Sequence, residues 1–400
     1  MTVISVRASS YNDNEIRKAL SKGFELMGLP SENPFQKLIK PGDMVFIKPN
    51  WVAHQYRASC PYQYDLYTTI THPSIVREVA RFVDRALEGQ GQIIVGDNPS
   101  IDADFDVLIR RLRLESLQGE LKSELVIRDL RPLVCTDLKH YGNKNRMSPR
   151  PGDPLGETVV NLGKNSLFQG VNPRLFRGVF TDRRETILAH SGDTHLYSFS
   201  NSIYKADVLI SVPKLKTHHK AGVTLNLKGL VGAVSNKNWL VHWRNGFPAV
   251  GGDAYPSFWL WLMDKFKKTK KRGAWPGNDT IWRMVVDLYS AIRQRPRKYF
   301  SIVDGVLAGQ GNGPFCPEPK ESHVLILGDD LLETDIVATR LMGFDPRKIK
   351  YLQHLIEQED IDLDAITFQS DVDEWKDIFH SNKDFLDFKA PLRWEFLKYD

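Results

Sequence analysis

The chain has 400 residues, of which 42% are hydrophobic and 26% are charged, values close to the globular average and far from those of disordered or fibrous chains. Its formal net charge of +5 is too small and too dispersed to indicate a nucleic-acid-binding protein, and an anionic ligand would explain it equally well. Cys60, Cys135 and Cys316 are widely spaced, which excludes a disulfide framework and a four-cysteine zinc or iron–sulfur site, and fits a reducing compartment.

The N-terminal sequence lacks a basic segment followed by a long apolar run. No apolar stretch approaches the roughly 18 residues that a membrane span needs. We therefore expect neither export nor membrane insertion, and we expect a cytoplasmic protein.

Residues 1–130 alternate short β-branched runs with helical periodicity, which predicts the strands and helices of a parallel sheet. Strands are expected at VISVR, MVFIK and QIIVGD, with a helix near Asn14 to Met27 and another from Pro73. The helix from Pro73 has the clearest pattern, because its apolar residues recur at three- and four-residue spacing behind a proline suited to the first turn. These residues form a first predicted α/β lobe.

The periodicity weakens over residues 131–200, where turn-forming residues are frequent, so this region is expected to be an irregular β-rich insertion. Residues 201–360 regain strand and helix patterns and form a second α/β lobe that completes the site. Residues 361–400 are interpreted as a C-terminal extension. The predicted fold class is α/β, a mostly parallel sheet flanked by helices, arranged as two lobes or as one core with the β-rich insertion.

Polar residues follow five of the predicted strands. Ligands of open parallel sheets bind beyond the carboxyl ends of the strands, so these residues are expected to share one site. The alternative is that each of them is only a turn or cap residue. The residues concerned are Lys48, Asn50, Asp97, Asp304, Asp329 and those of the segment Lys214 to His219.

The segment Val212 to Val234 concentrates positive charge. It holds Lys214, Lys216, Lys220 and Lys228, two adjacent histidines, and small residues that let a ligand approach the backbone. Such a segment suits a phosphate or carboxylate, and a helix beginning near Thr224 would point its positive end at it. A solvated basic loop is the alternative interpretation.

His218 is preferred over His219 as a functional group, because neighbouring side chains on extended backbone point in opposite directions. It could serve as general acid or base, or as a metal ligand. A divalent metal held by Asp97, His218, Asp304 and Asp329 is an open alternative, although no close ligand spacing such as HExxH supports it. The cofactor is otherwise unknown.

Six of the nine tryptophans lie between Trp239 and Trp282, and Trp259 and Trp261 lead into the basic run Lys267 to Arg272. Aromatic residues beside a cationic helix end can seat a protein on an anionic membrane surface. Peripheral membrane contact is therefore one hypothesis. The alternative is a helix whose aromatic face packs inward and whose lysines are solvated.

The chain resembles the domain of unknown function 362 family. The resemblance is carried by IKPNWV, THPSIVREV, IIVGDNPS, ADVLISVPKLKTHHKAGVTLNLKGLVGAV, IVDGVLAGQGNGP and LGDDLLETDIVATRLMGFDP. It implies one site built from Lys48, Asn50, Asp97, Lys214, Lys216, His218, Lys228, Asp304 and Asp335. Some members append a cysteine-rich ferredoxin-like module, which this chain does not show, so no iron–sulfur cluster is expected. The order of parts also resembles the lactate racemase family, with His72 in place of that family's arginine.

These observations favour an enzyme that acts on an anionic small metabolite or sugar derivative bearing phosphate or carboxylate. His218, with Asp97 or Asp304, would move a proton, while the lysines, Asn50 and Asp335 would bind the substrate. The alternatives are a metal- or cofactor-binding carrier protein, or a membrane-surface accessory in cell-envelope glycan biosynthesis. No nucleic-acid partner is expected, and the sequence does not give the oligomeric state.

Overall fold

A computed structural model describes residues 1–57, 60–135, 147–178, 182–267, 272–381 and 383–399. The strands are β1 Thr2–Arg7, β2 Met44–Pro49, β3 Gln92–Asp97, β4 Glu124–Asp129, β5 Leu133–Cys135, β6 Met147–Pro149, β7 Glu157–Asn161, β8 Phe176–Arg177, β9 Leu196–Ser200, β10 Val208–Val212, β11 Lys214–His218, β12 Gly222–Val223, β13 Trp243–Arg244, β14 Lys298–Gln310, β15 Glu318–Gly328 and β16 Thr367–Ser370. The helices are α1 Asp13–Leu26, α2 Pro73–Leu87, α3 Phe105–Leu112, α4 Arg183–Ala189, α5 Asn201–Tyr204, α6 Leu225–Gly229, α7 Phe258–Lys267, α8 Ile281–Arg293, α9 Leu331–Leu341 and α10 Lys350–Gln358.

One large central sheet runs through the molecule in the order β16, β1, β15, β14, β10, β2, β3, β4, with β11 and β12 attached beside β14. The strands β14, β10, β2, β3 and β4 are parallel neighbours. Only β15 runs antiparallel to its partners β14 and β1 along this path. The predicted α/β class with a mostly parallel sheet is confirmed, and the two predicted lobes contribute strands to this same sheet.

The sheet separates two apolar cores, because successive strand side chains point to opposite faces. In β2, Val45 and Ile47 enter the core covered by α1, α2 and α3, while Phe46 enters the core covered by α6, α8, α9 and α10. Both faces are covered, which explains why the central strands are apolar throughout rather than alternating with polar residues.

Helix α2 begins as its sequence predicts. Pro73 occupies the first turn, and the Nδ1 atom of His72 accepts a hydrogen bond from the backbone N–H of Ser74 at 3.2 Å. His72 is therefore the N-cap of α2. Its backbone N–H is directed toward the candidate site, where it contacts Asp304.

The described part of the region between residues 131 and 200 holds the helix α4 and short strands that lie outside the central sheet. The strands form two-stranded pairs, in which β5 joins β6, β7 joins β9, and β8 joins β13, which lies later in the chain. Residues 136–146, within the turn-rich stretch of this region, lie outside the described residues.

Cys60 and Cys316 form a disulfide between residues that are 256 positions apart. It joins the loop after β2 to the connection between β14 and β15. The expectation that the cysteines stay reduced is wrong for this pair. The fold brings together two cysteines whose spacing in the sequence gives no sign that they are close. Within the described residues, no helix has the length and apolar character needed to cross a membrane.

Candidate functional site

The carboxyl ends of β2 and β3 hold a buried ion pair. The Nζ atom of Lys48 lies 2.9 Å from Oδ1 of Asp97, and each side chain is 5% exposed. Asp97 also accepts hydrogen bonds from the backbone N–H groups of Trp51 and Asn98, at 2.8 and 2.9 Å. Both carboxylate oxygens of Asp97 are therefore engaged, so Asp97 neutralises and orients Lys48.

The residues Lys214 to His218 form the strand β11, so the alternative of a solvated basic loop is wrong. This strand pairs in parallel with the second half of β14, which is 13 residues long and extends beyond the end of β10. The side chains of Lys214 and Lys216 are fully buried. The long β14 supplies the hydrogen-bonding edge that keeps this polar segment extended inside the protein.

Asp304 lies inside β14 and not after a strand end, which corrects the predicted position. Its Oδ2 atom accepts from Lys214 Nζ at 2.8 Å and from the backbone N–H of His72 at 2.9 Å. Its Oδ1 atom accepts from the Tyr11 hydroxyl at 2.7 Å. Asp304 thus has partners on both oxygens and holds β11, α2 and the loop after β1 together.

Five lysines meet at the carboxyl edge of the parallel strands, and we call them the lysine cluster: Lys48, Lys216, Lys220, Lys228 and Lys237. Each of the last four has a pKa lowered by burial. Lys228 lies at the centre, because its positive charge also lowers the pKa of Lys216, Lys237 and His218. The carboxylates that act on the cluster are those of Asp97 and Asp253.

The ammonium groups of the lysine cluster differ in their partners. Lys216 Nζ donates to the carbonyl of Thr69 at 2.6 Å, and Lys237 Nζ donates to the carbonyls of Asn98 and Val231 at 3.0 and 2.6 Å. Lys220 Nζ lies 4.8 Å from the centre of the Trp243 ring.

Lys228 is 7% exposed, and its Nζ atom, which keeps some contact with solvent, has no hydrogen-bond or ion-pair partner among the residues that the structure describes. Burial and the neighbouring charges of Lys220 and Lys48 lower the pKa of Lys228 to about 7. A buried ammonium without a partner is costly, so this position calls for an anion.

His218 is neutral in these surroundings. Burial and the charges of Lys228, His219 and Lys220 hold the pKa of His218 well below its usual value. Its Nδ1 atom accepts from the backbone N–H of Lys220 at 3.1 Å, which leaves the proton of the neutral ring on Nε2. In the part of the chain that the structure describes, His218 contacts no carboxylate, so the expected pairing of His218 with Asp97 or Asp304 is not formed.

Several buried polar atoms beside the cluster have no hydrogen-bond partner among the described residues. They are Oδ1 of Asn50, Oγ1 of Thr69 and Oγ1 of Thr224. Thr69 and Thr224 are adjacent to Lys216 through their backbone hydrogen bonds with it. Buried polar atoms are normally satisfied, so these groups mark positions for a polar ligand or ordered water.

The backbone approaches the ion pair closely at Gly232. A Cβ atom at this position would lie 2.1 Å from Oδ1 of Asp97 and 2.7 Å from Nζ of Lys48. Its carbonyl also accepts a hydrogen bond from the backbone N–H of Asn98 at 3.0 Å. Glycine is therefore required here to pack the chain against the site.

Two predicted residues lie elsewhere. Asp329 follows β15, which runs antiparallel to β14, so it lies at the opposite edge of the sheet and accepts from the backbone N–H of Thr2 at 2.8 Å. Asp335 is fully buried in α9 and accepts from the backbone N–H groups of Asn226 and Leu227 at 2.8 and 2.9 Å. These bonds occupy the start of the five-residue helix α6, so the predicted anion site at that helix start is wrong.

The four candidate metal ligands are not brought together. Asp97 and Asp304 are each paired with a lysine, Asp329 is at the other edge, and His218 is surrounded by ammonium groups. Among the described residues, no three His, Cys, Asp or Glu side chains are grouped as they would be around a metal ion. The positive surroundings of His218 favour an anion over a divalent cation.

Sequence reasoning missed Lys237 and His242. Burial lowers the pKa of Lys237 to about 7, and Lys220 and Lys228 contribute to the lowered pKa of His242. Both follow the glycine-containing segment that ends at Val234. The turn-forming neighbours of Lys237, Asn236 and Asn238, were the available signal, since they fold the chain back onto the strand ends.

Comparisons with known proteins agree with the motifs. The chain is 24% identical over 349 residues to the thylakoid-associated protein sll1697 of Synechocystis sp., an alignment that covers 87% of this chain and 76% of the relative. Among solved structures, it matches the lactate racemase apoprotein of Thermoanaerobacterium thermosaccharolyticum with 13% identity and a TM-score of 0.30. That match covers 75% of this chain but only half of the racemase chain, and it is too distant to carry an argument.

The model of the family expected from the ordered motifs matches part of this chain. The matching segment begins at β7 and ends within α9, so it includes β10, β11, α6 and β14. It therefore contains Lys216, His218, Lys228 and Lys237, although Lys48 and Asp97 lie outside it. Residues 157–340 of this chain match the family described as domain of unknown function (DUF362).

Proposed function

We propose that this protein is an enzyme that binds an anionic small molecule, a phosphate- or carboxylate-bearing metabolite or sugar derivative, in the lysine cluster. The observation that carries the proposal is the largely buried ammonium group of Lys228, which lies among four other lysines and has no partner among the described residues. Burying a charge is costly unless the charge is paired. An anionic ligand would supply the missing charge and stabilise the folded protein.

The ligand would bind through the groups that lack partners in the described part of the chain. Lys228 would contact the negative group directly, with Lys216, Lys220 and Lys237 supplying further positive charge around it. The Nε2–H of neutral His218 can donate a hydrogen bond to an oxygen of the ligand. The unpartnered oxygen of Asn50 can accept a hydrogen bond from a hydroxyl group, which fits a sugar derivative.

The proton-transfer roles differ from those expected from sequence. Asp97 and Asp304 are positioning residues, because their oxygens are engaged by lysine, tyrosine and backbone donors. The pKa of Lys228 is about 7, so this amine exchanges its proton near neutral pH and suits general acid–base catalysis. We assign the proton transfer to Lys228 and a hydrogen-bonding role to His218.

We place this activity in the cytoplasm, where small phosphorylated and carboxylated metabolites are made and consumed. A carrier protein that binds the same anion without catalysis is the competing function. A catalysed reaction of the ligand distinguishes the two.

Isothermal titration calorimetry with inorganic phosphate, pyrophosphate and citrate tests the binding site. We expect at least one of these anions to bind the wild-type protein, and Lys228→Met to weaken that binding at least tenfold. Lys164→Met, at a lysine whose side chain is 79% exposed, is the matched control and should bind as the wild type does. If none of the anions binds, or if both variants bind equally well, the proposed site is wrong.

A further inference from the structure

The helix α7 carries an apolar face that points into solvent. Trp259, Met263 and Phe266 are 70%, 45% and 80% exposed. Their spacing of four and three residues places them on one side of the helix. Asp264, in contrast, is buried and accepts from Nε of Arg272 at 3.0 Å. The helix therefore has the reverse of the usual arrangement, with a carboxylate inside and large apolar side chains outside.

This exposure is not a consequence of a detached helix. Phe247 packs against both Phe258 and Trp261, with ring centres 5.7 and 6.0 Å apart. These contacts and the Asp264–Arg272 pair fix one side of α7 to the protein. Contiguous apolar surface on a fixed helix marks an interaction surface, because a soluble surface seldom keeps it uncovered.

Exposed positive charge lies beside α7, because the side chain of Arg272, which pairs with Asp264, remains 51% exposed. Burial lowers the pKa of Arg177, and the nearby positive charges of Arg183 and of Arg272, which anchors α7, lower it further. The guanidinium groups of Arg177 and Arg183 both donate to the backbone carbonyl of Arg174, at 3.1 and 3.0 Å. We call these four residues the arginine rim. The sequence after α7 adds further lysines, but residues 268–271 lie outside the described residues.

We propose that the apolar face of α7 and the arginine rim form a peripheral docking surface for an anionic lipid bilayer. An amphipathic helix lies in the plane of a membrane when apolar residues cover one side and cationic residues border it. A helix of ten residues is about 15 Å long, which suits a shallow position at the lipid headgroups. The arginines would contact lipid phosphates, while Trp259 and Phe266 enter the boundary between headgroups and acyl chains.

A second copy of the chain fits this surface less well. A two-fold symmetric dimer brings the same patch of both protomers together. The arginine rims of both copies would then lie within one interface, where an accumulation of like charge is unfavourable. An anionic bilayer has the complementary charge.

Vesicle flotation with the full chain tests the proposal. One set of vesicles is phosphatidylcholine alone, and the other contains phosphatidylcholine and phosphatidylglycerol in equal parts. We expect the protein to float with the anionic vesicles at low salt, to bind the neutral vesicles weakly, and to be released from the anionic ones at high salt.

Two variants separate the apolar and the cationic contributions. Trp259→Ser with Phe266→Ser should lower partitioning into anionic vesicles roughly 100-fold, since two large apolar side chains are lost from the boundary. Arg174→Gln with Arg183→Gln should reduce binding and its dependence on salt. Leu392→Ser with Phe396→Ser, at side chains that are 63% and 48% exposed on the C-terminal segment, is the control and should float as the wild type does.

Thermal melting checks that each variant is folded, which the high exposure of the substituted side chains leads us to expect. The proposal is overturned if the wild-type protein fails to float with anionic vesicles, or if the α7 variant floats as well as the control. Analytical ultracentrifugation supplies the remaining outcome. A dimer that the α7 variant alone abolishes, without vesicle binding by the wild type, would assign this surface to a second copy and not to lipid.

Discussion

Replacing Lys228 by methionine should stabilise the protein at acidic pH. Methionine keeps most of the buried apolar stem and removes the ammonium group that has no partner among the described residues. Wild-type protein must keep this group charged below pH 7, where burial and the neighbouring lysines oppose the charge. The variant is relieved of that cost.

The magnitude follows from the lowered pKa of Lys228, which falls from an ordinary 10.5 to about 7. At about 1.4 kcal/mol for each tenfold change in the protonation equilibrium, the buried charge costs roughly 5 kcal/mol at pH 6. An unfolding entropy of roughly 2.1 cal/mol/K per residue converts this cost to a rise in Tm of about 6 °C for a chain of 400 residues.

The sign of the pH dependence is fixed by the direction of the shift. The free-energy cost of the buried charge is present in full below pH 7, where Lys228 is protonated in the folded protein. It fades as the pH rises toward 10.5, because the unfolded chain then loses its own proton as well. The stabilisation of Lys228→Met should therefore fall from roughly 5 kcal/mol at pH 6 to below about 1 kcal/mol at pH 10.

Differential scanning calorimetry of dialysed protein at pH 6 and pH 10 measures this difference. Lys164→Met is the control, since substitution of an exposed lysine should change stability by no more than about 0.5 kcal/mol. Adding inorganic phosphate at pH 6 should raise the Tm of the wild type and leave that of Lys228→Met unchanged. A variant that is destabilised at both pH values would refute the reasoning and show that Lys228 has a stabilising partner.

Two further substitutions follow from the geometry. Gly232→Ala should weaken phosphate binding and lower the free energy of unfolding in urea by about 1–3 kcal/mol, because the new Cβ would meet the Asp97 carboxylate. Gly229→Ala is the control and should do neither, since no atom lies within 4 Å of its new Cβ. Equal effects of the two substitutions would contradict this interpretation of the site. Cys60→Ser with Cys316→Ser should lower the free energy of unfolding of oxidised protein by about 2–4 kcal/mol. The same substitutions should not change the stability of protein kept in a reductant. A loss of stability under both conditions would indicate a packing role for the sulfur atoms.

The sequence determined the fold class and the edge of the sheet that carries the site. Runs such as MVFI and LISV are apolar throughout and are separated by helical periodicity, which is the pattern of strands buried on both faces. The ends of such parallel strands meet at one edge, so Lys48, Asn50 and Asp97 could be placed together before any coordinates. The ordered motifs also indicated the family whose model matches residues 157–340.

Only the tertiary structure decided which groups pair and which remain without a partner. The antiparallel direction of β15 sends Asp329 to the far edge, and strand direction cannot be read from the composition of a strand. The long β14 turns Lys214 to His218 into a buried strand and pairs Lys214 with Asp304. The pKa of a lysine depends on burial and on charges from distant segments, so the position of Lys228 at the centre of five lysines appears only when the chain is folded.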